Sequence, residues 1–210
     1  EPGSTFKLAS LIVALEDGKV DTSQIVDTKN GVFKFYDQKM RDSNYLQGGH
    51  GKISVGKAFK VSSNIGIART IVKYYKENPQ DFIDRLVRLG ITNKLDFELI
   101  GEAEPWIKNT NDSTWSGISL PWITHGYEIK MSALQILALY NAIANNGEFV
   151  KPRLVDKVKS AERVIKLNEI EVLNPSICSE KTIHILQDLL SGVIKDGTAR
   201  NIYSEKYSSA

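Results

Sequence analysis

The stretch Pro2-Gly3-Ser4-Thr5-Phe6-Lys7-Leu8-Ala9-Ser10-Leu11-Ile12-Val13-Ala14-Leu15-Glu16-Asp17-Gly18 decides how this chain is read. Leu8, Leu11, Ile12 and Leu15 recur at helical spacing and Asp17-Gly18 supplies a stop, which predicts a helix from about Ser4 to Glu16 with a wide apolar face. Three residues are nearly one helical turn, so Ser4 Oγ and Lys7 Nζ share a face and come within hydrogen-bond reach. A serine hydroxyl is a weak nucleophile that needs a base, and a lysine serves if burial or a cationic neighbour lowers its pKa. A helix N-terminus adds backbone N–H groups for a developing oxyanion. Taken alone, the pair reads first as a helix cap beside a solvated charge. Ser54-Val55-Gly56-Lys57 repeats the spacing, and there Gly56 suits a turn or a close backbone approach better than a catalytic helix.

Outward from this helix, Val32, Phe33, Phe35 and Tyr36 follow the Lys29-Asn30-Gly31 turn and predict a short hairpin or extended loop. Helices are predicted from Ser54 towards Lys60, from Ile65 to Tyr75, and from Pro79 to Gly90, the last with proline harmless in its first turn. Residues 94–130 hold all three tryptophans, Trp106, Trp115 and Trp122, without a clean period. They predict a long structured loop in which the tryptophans pack a core or a lid. Ser132-x-x-Gln135 is a capping box ahead of an almost wholly apolar run to Ala144, the expected central buried helix. Leu154, Val158, Val164 and Ile165 are expected to face inward on two strands turned at Ser160-Ala161-Glu162, and Ser179 to Ile194 reads as an amphipathic helix.

With 41% hydrophobic and 25% charged residues, the 210-residue chain can bury one substantial core. A net charge of +2, with basic residues scattered, leaves no electrostatic footprint for nucleic acid. A single cysteine, Cys178, excludes an internal disulfide, and three distant histidines, His50, His125 and His184, give no support to a zinc site. His50 and His125 are expected to be structural or at the surface.

A second element raises the first above the ordinary. Ser62-Ser63-Asn64 lies at a break between two predicted helices, where the outer side chains can point into one cleft; a hydroxyl there can relay a proton, and an amide can hold a lysine amine or a peptide carbonyl. The blander reading is a serine-rich cap or Asx turn.

Pro2-Gly3-Ser4-Thr5-Phe6-Lys7 followed by Ser62-Ser63-Asn64-Ile65-Gly66 resembles the first two signatures of the penicillin-binding proteins, the serine peptidoglycan transpeptidases acylated by β-lactams. Ser132 to Gly147, Pro152, and Val193 to Ala199 resemble later landmarks of the class B enzymes, and Trp115-Ser116-Gly117 to Gly126-Tyr127-Glu128 is similar to division-specific members. The resemblance implies an α+β transpeptidase domain of the serine β-lactamase-like type, here chiefly its helical subdomain with a small β component. It implies Ser4 as the acylated nucleophile, Lys7 as general base, Ser62 as proton shuttle, Asn64 as a partner of Lys7 and of the substrate amide, and Ser63 as a substrate contact. The implied chemistry is cofactor-free and metal-free: acylation by a D-Ala-D-Ala stem peptide, then attack by an amine of a neighbouring strand. The implied partners are stem peptides, β-lactams and septal cell-wall proteins, in a bacterial envelope protein anchored in the inner membrane with this domain on the periplasmic face.

The third family signature, Lys-Thr-Gly on a strand, is absent from the 210 residues. Lys29-Asn30-Gly31 comes in the wrong order, and Lys195-Asp196-Gly197 follows a helix and reads as its stop. Residues 1–210 are therefore expected to be a partial domain, ending at Tyr207-Ser208-Ser209-Ala210 short of that strand, lacking its N-terminal strands and inactive in isolation. The rival readings are a class D β-lactamase or β-lactam sensor, disfavoured by Asn64, and a non-catalytic helical docking module of the cell-wall machinery.

Overall fold

A computed structural model describes residues 1–98 and 100–206. Tyr207-Ser208-Ser209-Ala210, whose sequence predicts an unfinished end, lies outside the described residues. The chain begins with a 3₁₀ turn, Gly3–Phe6, that runs straight into α1, Lys7–Glu16. It continues through β1 (Ile25–Asp27), β2 (Val32–Phe35), β3 (Gln38–Arg41), β4 (Lys52–Ser54), α2 (Val55–Lys60), α3 (Asn64–Tyr75), α4 (Pro79–Arg88), β5 (Trp106–Ile107), α5 (Ser119–Ile123) and β6 (Ile129–Lys130). The rest is α6 (Ala133–Ala144), β7 (Phe149–Val150), β8 (Lys157–Ser160), β9 (Arg163–Leu167), β10 (Val172–Asn174) and α7 (Glu180–Asp196). Among the described residues the strands form five separate antiparallel pairs, so helices carry the architecture. This is the mainly helical α+β arrangement that the sequence predicts.

α1 is the centre of the molecule: every residue from Lys7 to Ala14 is buried, with α3, α4 and α7 packed around it. Leu8, Ala9, Ile12 and Ala14 are fully enclosed, and each large apolar side chain so buried is worth about 1.5–3 kcal/mol relative to exposure. The expectation of a central α6 is thereby corrected. Its capping box forms as read, with Ser132 Oγ accepting from Gln135 N and Gln135 Oε1 accepting from Ser132 N, but Leu137 is 63% exposed and only one face reaches the core. An apolar run alone does not distinguish an all-round buried helix from one with an uncovered side.

β2 and β3 pair as the predicted hairpin. The pairing of β1 with β4 went unread, because three-residue strands carry too little alternation to register. Residues 94–130 are mostly loop, stiffened by α5 and by the pairing of β5 with β6. Trp115 and Trp122 pack on the core, as expected, whereas Trp106 is 39% exposed. The hairpin of β8 and β9 turns where predicted, but both strands are exposed throughout. Val158, Val164 and Ile165 therefore face solvent, as does Leu154, which corrects their inward assignment. No helix among the described residues is long and apolar enough to cross a membrane.

Candidate active site

The repeated Ser-x-x-Lys spacing produces two different local structures. Ser54 is the N-cap of α2, its Oγ accepting from Lys57 N at 3.1 Å, while Lys57 Nζ turns away to donate to the Asp196 carbonyl at 2.9 Å. Gly56 N donates to the Thr22 carbonyl at 2.8 Å, the close backbone approach that its lack of a side chain permits. Asp196 also pairs with Lys60, and Gly197 ends α7, so Lys195-Asp196-Gly197 is the helix stop that the sequence predicts.

At the other copy, Gly3 takes a φ of +60° and the chain enters α1 through a 3₁₀ turn, so Ser4 makes no side-chain cap. The Ser4 hydroxyl is exposed, whereas Lys7 below it is 2% exposed. Lys7 Nζ donates to Ser4 Oγ at 2.9 Å, to Ser62 Oγ at 2.9 Å and to the Ser62 carbonyl at 2.7 Å. Ser62 reaches it because α2 and α3 are separated by a tight turn in which Ser62 has a φ of +56°, left-handed and costly for a residue with a Cβ. Burial strips water from the ammonium and lowers the Lys7 pKa to about 8, with Asp42 pulling back in the opposite direction.

The turn that carries Ser4 is clamped from behind. Gly3 N donates to the Gly126 carbonyl at 3.2 Å, Ser10 Oγ to the Thr124 carbonyl at 2.8 Å, and Tyr140 Oη to the Thr5 carbonyl at 3.1 Å. Gly126 is required there: its φ is +89°, and a Cβ would lie 2.1 Å from the Gly3 carbonyl oxygen. His125, buried as one of the expected structural histidines, has its Nδ1 3.0 Å from the Pro121 carbonyl. Desolvation lowers its pKa to about 4, so it adds no positive charge beside Lys7 near neutral pH.

The remaining predicted residues divide. Asn64 starts α3 at this site but is not a partner of Lys7: its Nδ2 donates to the Arg41 carbonyl at 2.9 Å, and its Oδ1 is buried without a hydrogen-bond partner. Ser63 is 1% exposed and caps α3, accepting from Gly66 N at 2.8 Å and donating to Asp42 Oδ2 at 2.7 Å. Its one hydroxyl both donates and accepts inside the protein, so this placement lends its expected substrate contact no support. Asp42, 1% exposed, went unread; a lone acid after a short strand has no periodic or motif signal. No cluster of metal-ligating side chains occurs among the described residues.

With this geometry in place, comparison with known proteins is decisive about kinship. Residues 1–209 match the family model of the penicillin binding protein transpeptidase domain. PbpB of Mycolicibacterium smegmatis is 24% identical over 93% of this chain and 29% of its own length. The peptidoglycan D,D-transpeptidase FtsI of Buchnera aphidicola is 26% identical over 75% of the chain and 26% of its own length. The chain thus spans roughly a quarter to a third of these relatives. The transpeptidase domain of penicillin-binding protein 3 from Burkholderia pseudomallei superposes with a TM-score of 0.78 at 25% identity, covering 99% of this chain and 58% of that one. A D,D-transpeptidase domain from Eggerthella lenta shares the fold with a TM-score of 0.84 at 22% identity, over 99% and 51%. An exposed serine over a buried lysine, the Ser-x-Asn turn that meets it, and a match along nearly the whole length agree: the chain belongs to the penicillin-binding-protein transpeptidase family.

Proposed function

We propose that this chain carries the nucleophile of a peptidoglycan D,D-transpeptidase that works through a serine acyl-enzyme and is acylated by β-lactams. The observation that supports this most directly is the placement of Lys7 Nζ at 2.9 Å from both Ser4 Oγ and Ser62 Oγ, in a site dry enough to bring its pKa to about 8. In its neutral form Lys7 takes the proton of Ser4 Oγ as that oxygen bonds to the penultimate D-Ala carbonyl of a stem peptide. The tetrahedral oxyanion is met by the Ser4 N–H, a donor at the start of the 3₁₀ turn with no partner within the turn itself. Ser62 Oγ then passes a proton to the departing D-alanine nitrogen, and the ester on Ser4 awaits the acceptor amine. Asn64 Oδ1, buried without a donor, becomes the acceptor for an N–H of the substrate backbone once a turn of its side chain uncovers it.

In this reading residues 1–210 are part of a larger catalytic domain, and the Lys-Thr-Gly strand of the family lies outside them. Stem peptides and β-lactams are its ligands. Septal cell-wall proteins are its partners, and the envelope, with an inner-membrane anchor elsewhere in the protein, is its place. Incubating the full-length protein with a fluorescent penicillin tests the proposal: covalent label on Ser4, located by peptide mass spectrometry and lost in Ser4→Ala, is expected. Label that persists in Ser4→Ala, or none in the wild type, overturns it.

A further inference from the structure

Asp42 is out of place as a stabilising residue. The residue is 1% exposed, yet among the described residues no cation lies within ion-pair distance; its carboxylate accepts from the neutral Ser63 Oγ at 2.7 Å and from Ile65 N at 3.0 Å. Burying a charge without a counter-charge is expensive, and an apolar or amide group of similar shape would avoid that cost. The backbone of the segment is fixed on both sides, with Asp42 N donating to the Gly31 carbonyl and Tyr45 N donating to the Asp42 carbonyl. From there the carboxylate grips α3 at its N-terminal end, taking one of the backbone donors that no turn of the helix can satisfy. Asn64 Nδ2, donating to the Arg41 carbonyl, closes a third bond across the same seam.

The gripped residues follow Ser62 directly in the chain. Its φ of +56° is surrounded by fixed groups: Ser62 N and Ser63 N donate back to the Phe59 and Ala58 carbonyls, while Ser63 Oγ and Ile65 N are fixed by Asp42. That strained conformation turns the Ser62 carbonyl and hydroxyl together onto Lys7. We propose that Asp42 is a positioning residue for acyl transfer, holding Ser62 in the left-handed conformation that aims both of its oxygens at Lys7.

This inference rests on Ser4 being the acylated residue and Lys7 its base. A second consequence follows from the same placement, since the Asp42 charge is felt at Lys7 and opposes the loss of basicity that burial causes. The titratable groups packed around the Ser4–Lys7 turn add no competing charge near neutral pH: His125, which feels the Lys7 charge, is uncharged, and burial raises the Tyr140 hydroxyl, held on the Thr5 carbonyl, to about pKa 12.

The test is the acylation rate constant of the full-length protein with a fluorescent penicillin, followed from about pH 5 to about pH 10. Asp42→Asn should lower the plateau about ten-fold or more, through misplacement of Ser62, and shift the acid-side midpoint to lower pH because the anion is gone. Asp42→Glu, which keeps the charge, should hold the midpoint near the wild-type value. Ser63→Ala, which cuts one strand of the clamp and leaves the charge, should lower the plateau without moving the midpoint. An Asp42→Asn protein with the wild-type plateau and midpoint overturns the proposal, as does a loss that matches the unfolded fraction by circular dichroism with the midpoint unmoved. If Asp42→Asn is not recovered folded, Ser63→Ala decides, a wild-type rate there counting against the clamp. A wild type that takes no label removes the Ser4 reading itself, whereas normal labelling in every variant removes only the role of Asp42.

Discussion

Ser4–Lys7 and Ser54–Lys57 have the same spacing, and both stand at the start of a helix, yet only one pair is chemically coupled. At Ser54 the backbone is extended before the helix, so the hydroxyl is drawn onto Lys57 N and the lysine side chain leaves for α7. At Ser4 a glycine at positive φ feeds a 3₁₀ turn, the hydroxyl has no backbone donor to satisfy, and the lysine lies beneath it in the core. A capping serine has its oxygen committed; a serine inside a tight turn keeps it available. Reactivity at this motif is set by the two residues before the serine and by what buries the lysine.

The sharpest way to break the comparison is to remove each hydroxyl. Ser4→Ala should abolish penicillin labelling, while Ser54→Ala should label at the wild-type rate and cost about 1 kcal/mol of stability in urea unfolding, the usual worth of a cap. Exchanging each lysine for methionine separates them next. Lys7 has a folded-state pKa below its unfolded value, so the unfolded chain binds more protons between about pH 8 and 10.5 and the folded state gains stability as pH rises through that window. The stability difference between wild type and Lys7→Met should therefore climb by about 3 kcal/mol across it. Lys57→Met, which loses an exposed pair with Asp196, should change stability by less than about 1 kcal/mol and show no such slope.

The clamp behind Ser4 gives a third test. Gly126→Ala imposes about 1–3 kcal/mol of backbone strain before its collision with Gly3 is counted, and should slow labelling in the protein that remains folded. His125 is held neutral when folded, with a pKa of about 4, so stability should fall by about 2 kcal/mol from pH 7 to pH 5 as the unfolded histidine takes up a proton. Urea midpoints for His125→Phe should lack that share of the loss. The smallest effect is expected far from the site, where Ile165→Ser on the exposed β9 should stay within about 0.5 kcal/mol of wild type.

The helices were legible wherever a cap and a period coincided: α3, α6 and α7 each carry both and lie where the sequence places them, while α1, which has no side-chain cap, was legible from its period and its Asp17-Gly18 stop. What the pattern could not convey was which neighbour covers an apolar face. Leu11 in α1 and Ile165 in β9 are equally apolar, and one is 1% exposed while the other is 66% exposed. At the site, the Ser4, Lys7 and Ser62 cluster was legible because two motifs had to meet for either to be useful. Asp42 and its bond to Ser63, Gly126 and the true partner of Asn64 were not, because they depend on contacts between segments 20 or more residues apart, for which a single sequence holds no local signal.

The carbonyl of Ser62 has a consequence of its own. A protonated Lys7 spends its three N–H bonds on that carbonyl and on the two hydroxyls. A neutral amine keeps only two, plus a lone pair, and a carbonyl has no hydrogen to offer a lone pair. One N–H must therefore stay on Ser62 O, and the lone pair is confined to facing either Ser4 or Ser62 Oγ. The backbone oxygen acts as the pin of a hinge: a part-turn about the Cε–Nζ bond changes the amine from acceptor for the Ser4 hydroxyl to acceptor for the Ser62 hydroxyl. A single lysine thereby has two stations and no third.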